Sequence, residues 1–352
     1  MQRVRFLFGG SVGLPPSDRW PRSPKAPNSQ PFTRLQPERP CLRQSNLANN
    51  RIAGIAKSTG DLERLSDLRY DAIAQLFNSF SPFLINMQHD VLRKEQEFHD
   101  RWASVIDVDG IRVADYFEAC TAPENRFILQ QLGNVQGQSL LDLGCGAGEN
   151  SVYFALKGAH CVASDYSPGM VDVALKLAAN NGVQVEGKVI NAMDIDYPDN
   201  TFDIVYASNL LHHIPHPEVT IREMHRVLKP GGKMCFWDPL RHNPVINVYR
   251  RMATEVRTDD EMPLDIGIVN QVRSLFTETN YDTFWIASLW IFLQFYLIEK
   301  VNPNQERYWK KIILEHDRLR PMYRRLEACD RLLKHIPGMK RMAWNLAVVA
   351  TK

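Results

Sequence analysis

The chain has 352 residues, of which 44% are apolar and 23% are charged, and its formal net charge is +2. This composition is typical of a globular protein and excludes a collagen-like, coiled-coil or wholly disordered chain. The nearly neutral total argues against a dedicated nucleic-acid binder, because neutralising phosphates requires a basic face. The six cysteines form no C-x-x-C pair, so the sequence predicts neither a zinc site nor a disulfide framework.

The first 60 residues differ in kind from the rest of the chain. They hold ten basic and two acidic residues, a net charge of +8, whereas the remaining 32 basic and 38 acidic residues give −6. They also contain eight of the 21 prolines, which interrupt helices. We therefore expect 1–60 to be a disordered basic leader on a cytoplasmic protein. An organelle transit peptide and an overlong translated start are the alternatives.

The next segment, 61–133, has a helical pattern, with apolar residues recurring every three or four positions. Further helices are predicted near 89–103 and 111–132, and no strand signal interrupts them. We expect this segment to form a helical cap on the domain that follows, 134–352.

Between 139 and 238, short apolar runs alternate with helical segments, which is typical of a parallel, doubly wound α/β sheet. The predicted strands are 140–143, 160–164, 185–190, 203–207 and 233–237, and the predicted helices are 151–157, 168–180 and 218–228. The last of these helices is expected to stop at Pro230-Gly231-Gly232.

The remainder of the chain predicts a helical insertion before a final strand. The expected elements are a helix at 266–276, a strand at 281–286, a charged helical region at 305–335 and a strand at 343–351. An apolar run from 284 to 298 has 15 residues, fewer than the ~20 needed to span a bilayer. We expect about 287–340 to form a lid.

The most informative motif is Gly144-x-Gly146-x-Gly148, directly after the first predicted strand. Glycines let a ligand approach the main chain, and the amides that open the next helix are free donors. A dinucleotide site requires glycine where this chain has Glu149, and a carboxylate there repels a pyrophosphate. With Asp142 just before the loop, the motif favours a cationic ligand such as S-adenosylmethionine.

Residues after the later strands agree with this interpretation. Asp165 ends the second strand, where a carboxylate can accept hydrogen bonds from both ribose hydroxyls. Tyr166 and Met170 offer an aromatic and a polarizable surface for adenine. Asp194, after the third strand, can accept from the adenine amino group.

On these motifs the sequence resembles the class I S-adenosylmethionine-dependent methyltransferases. It is nearest the broad group that includes ubiquinone- and menaquinone-biosynthesis methyltransferases and many small-molecule methyltransferases. The matching motifs are 140–148, 165–170, 191–194, 198–203, 211–214 and 228–232. The resemblance implies a Rossmann-like, doubly wound sheet of seven strands with a reversed last strand.

The resemblance also implies cofactor-binding roles for individual residues. Those expected around the methionine part of S-adenosylmethionine are Asp142, Gly144, Cys145 and Gly146. Those expected around its ribose and adenine are Asp165, Tyr166, Met170, Met193 and Asp194. Asn209 is expected beside the methyl donor.

The histidine motif His212-His213-x-x-His216 predicts no metal site, because Pro215 and Pro217 prevent a regular helical ligand face. Either His212 or His213 is the expected general base for an acceptor hydroxyl, or the two only shape the site. The candidate acceptor-binding residues are His99, Tyr116, His242, Asn243 and Tyr249.

Aromatic residues make the predicted insertion strongly apolar. They are Trp285, Trp290, Phe292, Phe295 and Tyr296. They indicate core packing against 305–335, an apolar lid over a lipophilic acceptor, or peripheral contact with a membrane.

We therefore expect methyl transfer to a small lipophilic metabolite, with no nucleic-acid partner. O-methylation is the first hypothesis, and C- and N-methylation are close alternatives. A nicotinamide-dependent oxidoreductase and a non-catalytic cofactor-binding or membrane-associated module remain as further alternatives.

Overall fold

The computed structural model describes residues 92–254 and 261–352. The expected leader, 1–60, and the first part of the expected cap, 61–91, lie outside the described residues. Seven strands form one sheet with the order β3-β2-β1-β4-β5-β7-β6. The strands are β1 (Ser139–Leu143), β2 (His160–Asp165), β3 (Glu186–Val189), β4 (Phe202–Ser208), β5 (Leu228–Pro239), β6 (Glu278–Phe284) and β7 (Asn345–Thr351).

Strand direction confirms the predicted fold class. The first five strands pair in parallel, and β7 runs antiparallel to both β5 and β6. The chain builds outward from β1 through β2 to β3, then returns to place β4 on the other side of β1. This reversal opens a crevice at the carboxyl ends of β1 and β4, where open α/β sheets bind ligands.

Helices cover both faces of the sheet. They are α1 (described over 92–103), α2 (Val113–Glu118), α3 (Pro123–Leu132), α4 (Glu149–Leu156), α5 (Pro168–Asn180), α6 (Pro217–Val227), α7 (Pro244–Met252), α8 (Ile268–Leu275), α9 (Trp290–Leu293), α10 (Tyr308–Leu314) and α11 (His316–Leu333).

The alternation of side chains along each strand divides the core into two layers. Leu141 and Leu143 of β1 pack in one apolar cluster with α6 and α8, whereas Leu140 packs in another with α2 to α5. Because successive strand residues point to opposite faces, a strand covered on both sides must be apolar throughout. This requirement explains the continuous apolar runs in the sequence.

Local sequence also explains how α5 begins. Pro168 occupies its first turn, where no backbone donor is needed, and the Ser167 hydroxyl accepts a hydrogen bond from Met170 N at 3.1 Å. The predicted bounds of this helix, 168–180, are confirmed.

The predicted helix 218–228 is confirmed to within one residue at each end, but Pro230-Gly231-Gly232 do not form a turn after it. Helix α6 ends at Val227, and β5 begins at Leu228, so these residues lie within the strand. Leu228 pairs with Phe202, and the register then shifts so that Lys233 pairs with Ile204. The residues between Leu228 and Lys233 form an irregularity in strand pairing, and glycine and proline are common at such positions.

The apolar insertion separates into a packed part and an exposed part. Trp285, Phe292 and Phe295 are buried to 2% exposure or less in a cluster that includes residues of α10 and α11. Trp290 and Tyr296 are 50% and 44% exposed. Core packing therefore accounts for the first three residues and not for the other two. In the described part of the chain, no helix is long and apolar enough to cross a membrane.

A single buried carboxylate fixes the start of this insertion. Asp330 of α11 accepts hydrogen bonds from the amides of Ile286, Ala287 and Ser288, at 3.3, 2.5 and 3.3 Å, and from the Ser288 hydroxyl at 2.5 Å. These donors follow Trp285, a buried residue with the left-handed φ of 68°. Asp330 thus satisfies backbone donors that the turn leaves outside a regular element.

Replacing Asp330 with alanine is expected to lower the free energy of unfolding by roughly 3 kcal/mol, because buried donors lose their acceptor. The matched control is Asp317→Ala on the same helix, whose carboxylate is 77% exposed. The control should change stability by less than roughly 0.5 kcal/mol. Urea denaturation measures both values, and equal effects would show that Asp330 does not anchor the insertion.

Candidate functional site

Backbone amides of the loop from 144 to 148 donate hydrogen bonds to the neighbouring strand β2. Cys145 N donates to the Ser164 carbonyl at 2.8 Å, and Gly146 N donates to Asp165 Oδ2 at 3.0 Å. The other carboxylate oxygen, Oδ1, accepts from Ser167 N at 2.9 Å. These hydrogen bonds hold two predicted cofactor-binding elements, the glycine loop and Asp165, together.

Two of the loop glycines face different surroundings. A Cβ added to Gly146 (φ +53°) would meet no atom within 4 Å, whereas one added to Gly148 (φ +90°) would lie 2.6 Å from the Ala174 Cβ. Gly148 therefore permits close packing of the loop on α5, and Gly146 leaves its main chain open to a ligand. The open space at Gly146 fits a ligand group that approaches the backbone.

Asp142 lies at the bottom of this site and is fully buried. Its Oδ2 accepts a hydrogen bond from the Ser151 hydroxyl at 2.5 Å, while its Oδ1 has no hydrogen-bond partner among the described residues. Burial, with smaller contributions from the nearby charges of Glu149 and Asp165, raises the pKa of this carboxyl to about 7 against the lowering effect of the Ser151 hydrogen bonds. An orphaned buried carboxylate oxygen suits a cationic ligand.

Glu149 opens helix α4, where the dinucleotide motif would have a glycine. The predicted acceptor-binding residue Tyr116 lies beside this carboxylate. Burial raises the pKa values of both groups, and the charge of Glu149 raises that of Tyr116 as well. A carboxylate at this helix N-terminus disfavours a pyrophosphate, as the sequence predicted.

The predicted adenine-binding residues differ in exposure. Tyr166 is half-buried beside Asp165, and Asp194 is exposed in a turn closed by a hydrogen bond from its amide to the Asn191 carbonyl, at 2.9 Å. Met193 is half-buried against the core, whereas Met170 is fully buried in α5. Packing already accounts for Met170, and the adenine roles of all four stay predictions.

A second polar group lies at the ends of β4 and β5. Asn209 follows β4 with a left-handed φ of 52°, and His212 Nδ1 lies 2.6 Å from Asp238 Oδ1. Asp238 is fully buried and also accepts from the amides of Leu211 and His212, both at 3.2 Å. Burial raises the pKa of Asp238 to about 7 against the lowering effect of these donors. The carboxylate thus fixes the orientation of the His212 ring.

Histidine 213 points to a different partner, on α1. Its Nδ1 lies 3.2 Å from Glu95 Oε2, and His99 Nε2 lies 3.7 Å from the same oxygen. The third histidine of the motif, His216, is remote from this arrangement and pairs with Glu218 at 3.2 Å. The general-base roles of His212 and His213 stay predictions.

Sequence reasoning missed the two carboxylates that accompany these histidines. Glu95 precedes His99 by four residues in a predicted helix, a spacing that places both on one face and was available as a signal. Asp238 follows the fifth predicted strand, which places it at the ligand-binding edge of the sheet, but only the pairing of β4 with β5 shows that it lies beside His212.

Three predicted acceptor-binding residues have contacts that stabilise the fold. Asn243 Oδ1 caps α7 by accepting from Val245 N at 2.8 Å, and its amide donates to the carbonyl of Met342, shortly before β7. His242 Nε2 lies 2.9 Å from Asp265, and Tyr249 is 7% exposed within the aromatic cluster. Their roles in acceptor binding stay predictions.

Comparison with known proteins agrees with this geometry. A family described as "Methyltransferase domain" matches residues 141–236. Ubiquinone biosynthesis O-methyltransferase of Pseudomonas syringae pv. tomato is 33% identical over 36% of this chain and 55% of its own. Phosphoethanolamine N-methyltransferase 1 of Arabidopsis thaliana is 31% identical over 46% of this chain and 31% of its own length. Demethylmenaquinone methyltransferase of Clavibacter sepedonicus is 39% identical over 28% of this chain and 40% of its own length.

The matches with these relatives are partial, extending over between about a third and just over half of each relative's length. The cofactor that such a domain implies is S-adenosylmethionine. The open backbone at Gly146 and the orphaned Asp142 oxygen fit its charged methionine part, and Asp165 fits its ribose.

The contrast between the two glycines gives a test of the site. Gly146→Ala is expected to cost about 1 kcal/mol of stability for its left-handed backbone and to weaken S-adenosylmethionine binding at least tenfold. Gly148→Ala is expected to lower the free energy of unfolding by roughly 3 kcal/mol, because the added methyl group overlaps Ala174. Denaturation and titration calorimetry measure the two effects. Unaltered cofactor affinity in Gly146→Ala would place the ligand elsewhere.

The raised pKa of Asp142 predicts a pH dependence of stability. The folded chain keeps a proton up to about pH 7 that the unfolded chain loses near pH 4, so the free energy of unfolding falls as pH rises between these values. One such group contributes a slope of about 1.4 kcal/mol per pH unit. Asp142→Asn should flatten the curve by this amount, as measured by denaturation from pH 4.5 to 8. Parallel curves would contradict the assignment.

Proposed function

We propose that this chain, whose residues 141–236 form a class I methyltransferase domain, is an enzyme that transfers a methyl group from S-adenosylmethionine to a small molecule. One observation carries the proposal. The open main chain at Gly146 lies between the buried Asp142 and the strand-end Asp165, at the crevice where the sheet order reverses.

The chain's own residues would hold the cofactor by charge and by hydrogen bonds. Asp142 would be the negative charge nearest the methionine ammonium, and the loop amides would face its carboxylate. Asp165 would accept from the ribose hydroxyls while still accepting from Gly146 N. When bound, S-adenosylmethionine supplies the electrophilic methyl group.

Helix α1 supports closure over the crevice. At the β2 side, Asp100 accepts hydrogen bonds from the Ser167 hydroxyl and from Gly169 N, the latter at 3.2 Å. At the β4 side, Glu95 faces His213. Methyl transfer needs aligned reactants and exclusion of water, and a helix fixed at both sides of the crevice supplies both.

The insertion contributes to the same closure. The Arg307 guanidinium lies 4.2 Å from the centre of the Trp102 ring on α1, and the Lys310 ammonium lies 5.2 Å from it. Burial lowers the pKa of Arg307 to about 10 and also lowers that of Lys310. These contacts join the insertion to the cap and support its proposed role as a lid.

A small acceptor with an oxygen nucleophile is the form of the proposal that we favour. The similar proteins named above include an O-methyltransferase of ubiquinone biosynthesis and an N-methyltransferase of phosphoethanolamine. The apolar insertion, with Leu297 and Ile298 62% and 66% exposed, favours a lipophilic molecule over a charged one.

The test uses S-adenosylmethionine with a labelled methyl group, a metabolite extract and mass spectrometry of the labelled products. Asp165→Ala is expected to weaken cofactor binding at least tenfold and to reduce transfer at subsaturating cofactor accordingly. Asp172→Ala, exposed on the helix that follows Asp165, should retain the wild-type affinity.

Failure of the wild-type chain to bind either S-adenosylmethionine or S-adenosylhomocysteine in calorimetry would refute the proposed activity. Fluorescence enhancement of NADH on mixing would favour the oxidoreductase alternative instead.

A further inference from the structure

A cluster of imidazole and carboxylate groups lies beside the proposed methyl-transfer site. Glu95 and His99 are four residues apart on α1, so they project from the same face of the helix. His213 reaches them from the short turn Leu211–His213 after β4. One ligand atom from each residue lies within 4.8 Å of the other two.

From this geometry we infer that Glu95, His99 and His213 bind a divalent transition-metal ion of the zinc class. Two imidazoles and one carboxylate are a common ligand set of catalytic zinc, with bonds of about 2.0–2.2 Å. Donor atoms around a tetrahedral ion of that size are about 3.3 Å apart. The observed distances from Glu95 Oε2 to His213 Nδ1 and His99 Nε2 are 3.2 and 3.7 Å, close to this value, and all three ligand atoms lie within 4.8 Å of one another.

The environment of the histidines favours an ion over a simple ion pair. His213 Nδ1 is buried and makes no hydrogen bond among the described residues, although it lies 3.2 Å from the carboxylate. A buried nitrogen without a hydrogen bond is costly unless a further partner is present. The Glu95 side chain is only 9% exposed and the His213 side chain 19%, so the site is shielded but keeps limited access to solvent.

A second group of donors shares His213 and comprises His212 and Glu261 with it. We assign the ion to the first group because Glu95 Oε2 lies 3.2 and 3.7 Å from the two imidazole nitrogens, whereas His212 Nε2 and Glu261 Oε2 are 3.9 Å apart. The sequence excluded a metal on the basis of His212, His213 and His216 alone, whereas the inferred site uses partners from another helix.

The position of the site gives the ion a role that rests on the proposed function. His213 follows β4 by five residues and lies beyond Asn209, at the edge where acceptor and methyl donor would meet. Three protein ligands leave one position open for an acceptor hydroxyl, whose pKa the ion would lower so that its proton passes to solvent. The oxygen lone pair then takes the methyl group, and the electron pair of the broken S–C bond stays on sulfur.

The experiment titrates the full-length chain, purified without a polyhistidine tag and stripped of metal, with Co²⁺ alone. Visible absorption of tetrahedral Co²⁺ should saturate at one equivalent and disappear when Zn²⁺ is added. Glu95→Gln and His213→Asn should each weaken Co²⁺ affinity at least tenfold, because each removes one of three ligands. His216→Asn, which alters an exposed histidine of the same motif, should leave the affinity unchanged.

Two results would overturn the inference: no saturable Co²⁺ or Zn²⁺ binding by the wild-type chain, or wild-type affinity in both ligand variants. Circular dichroism and urea denaturation of each variant without metal show whether it is folded; if one is not, His99→Asn replaces it. Metal binding without cofactor binding would refute the proposed function but not the metal site. Cofactor binding without metal binding would refute only the metal site.

Discussion

Parallel pairing of β2, β1, β4 and β5 is the constraint on which the rest of this structure depends. Parallel strands end at one edge of a sheet, so the residues that follow them are brought together regardless of their separation in the chain. The glycine loop, Asp165, Asn209 and Asp238 all lie at this edge for that reason. The reversal of strand order between β1 and β4 then opens the crevice that these residues surround.

Burial gives the acidic groups at this edge their chemical character. Asp142 and Asp238 are both fully buried, and burial raises the pKa of each to about 7. Each nevertheless accepts specific hydrogen bonds. Asp142 accepts from the Ser151 hydroxyl, and Asp238 accepts from the amides of Leu211 and His212. Such groups retain negative charge best when a cation or an imidazole is close, which connects the electrostatics of the fold to the ligands proposed for it.

Helix α1 and the insertion convert the open edge into an enclosed one. The helix is fixed at the β2 side through Asp100 and faces His213 at the β4 side through Glu95, and the insertion contacts it through Arg307 and Trp102. Asp330 holds the beginning of the insertion in place. Enclosure serves methyl transfer because water competes with the acceptor and weakens electrostatic interactions.

The sequence by itself determined the sheet, the order of its elements and the loop motif, because these depend on local periodicity and on glycine positions. The bounds of α5 were predicted to the residue, and the reversed last strand followed from the family resemblance. Only the tertiary structure decided the partners of the polar groups. Asp238 meets His212, and Glu95 meets His213 across 118 positions of the chain, through strand pairing and helix packing. The burial of Trp285 and the exposure of Trp290 likewise required the packed structure. In an apolar run, the sequence does not indicate which side chains other elements will cover.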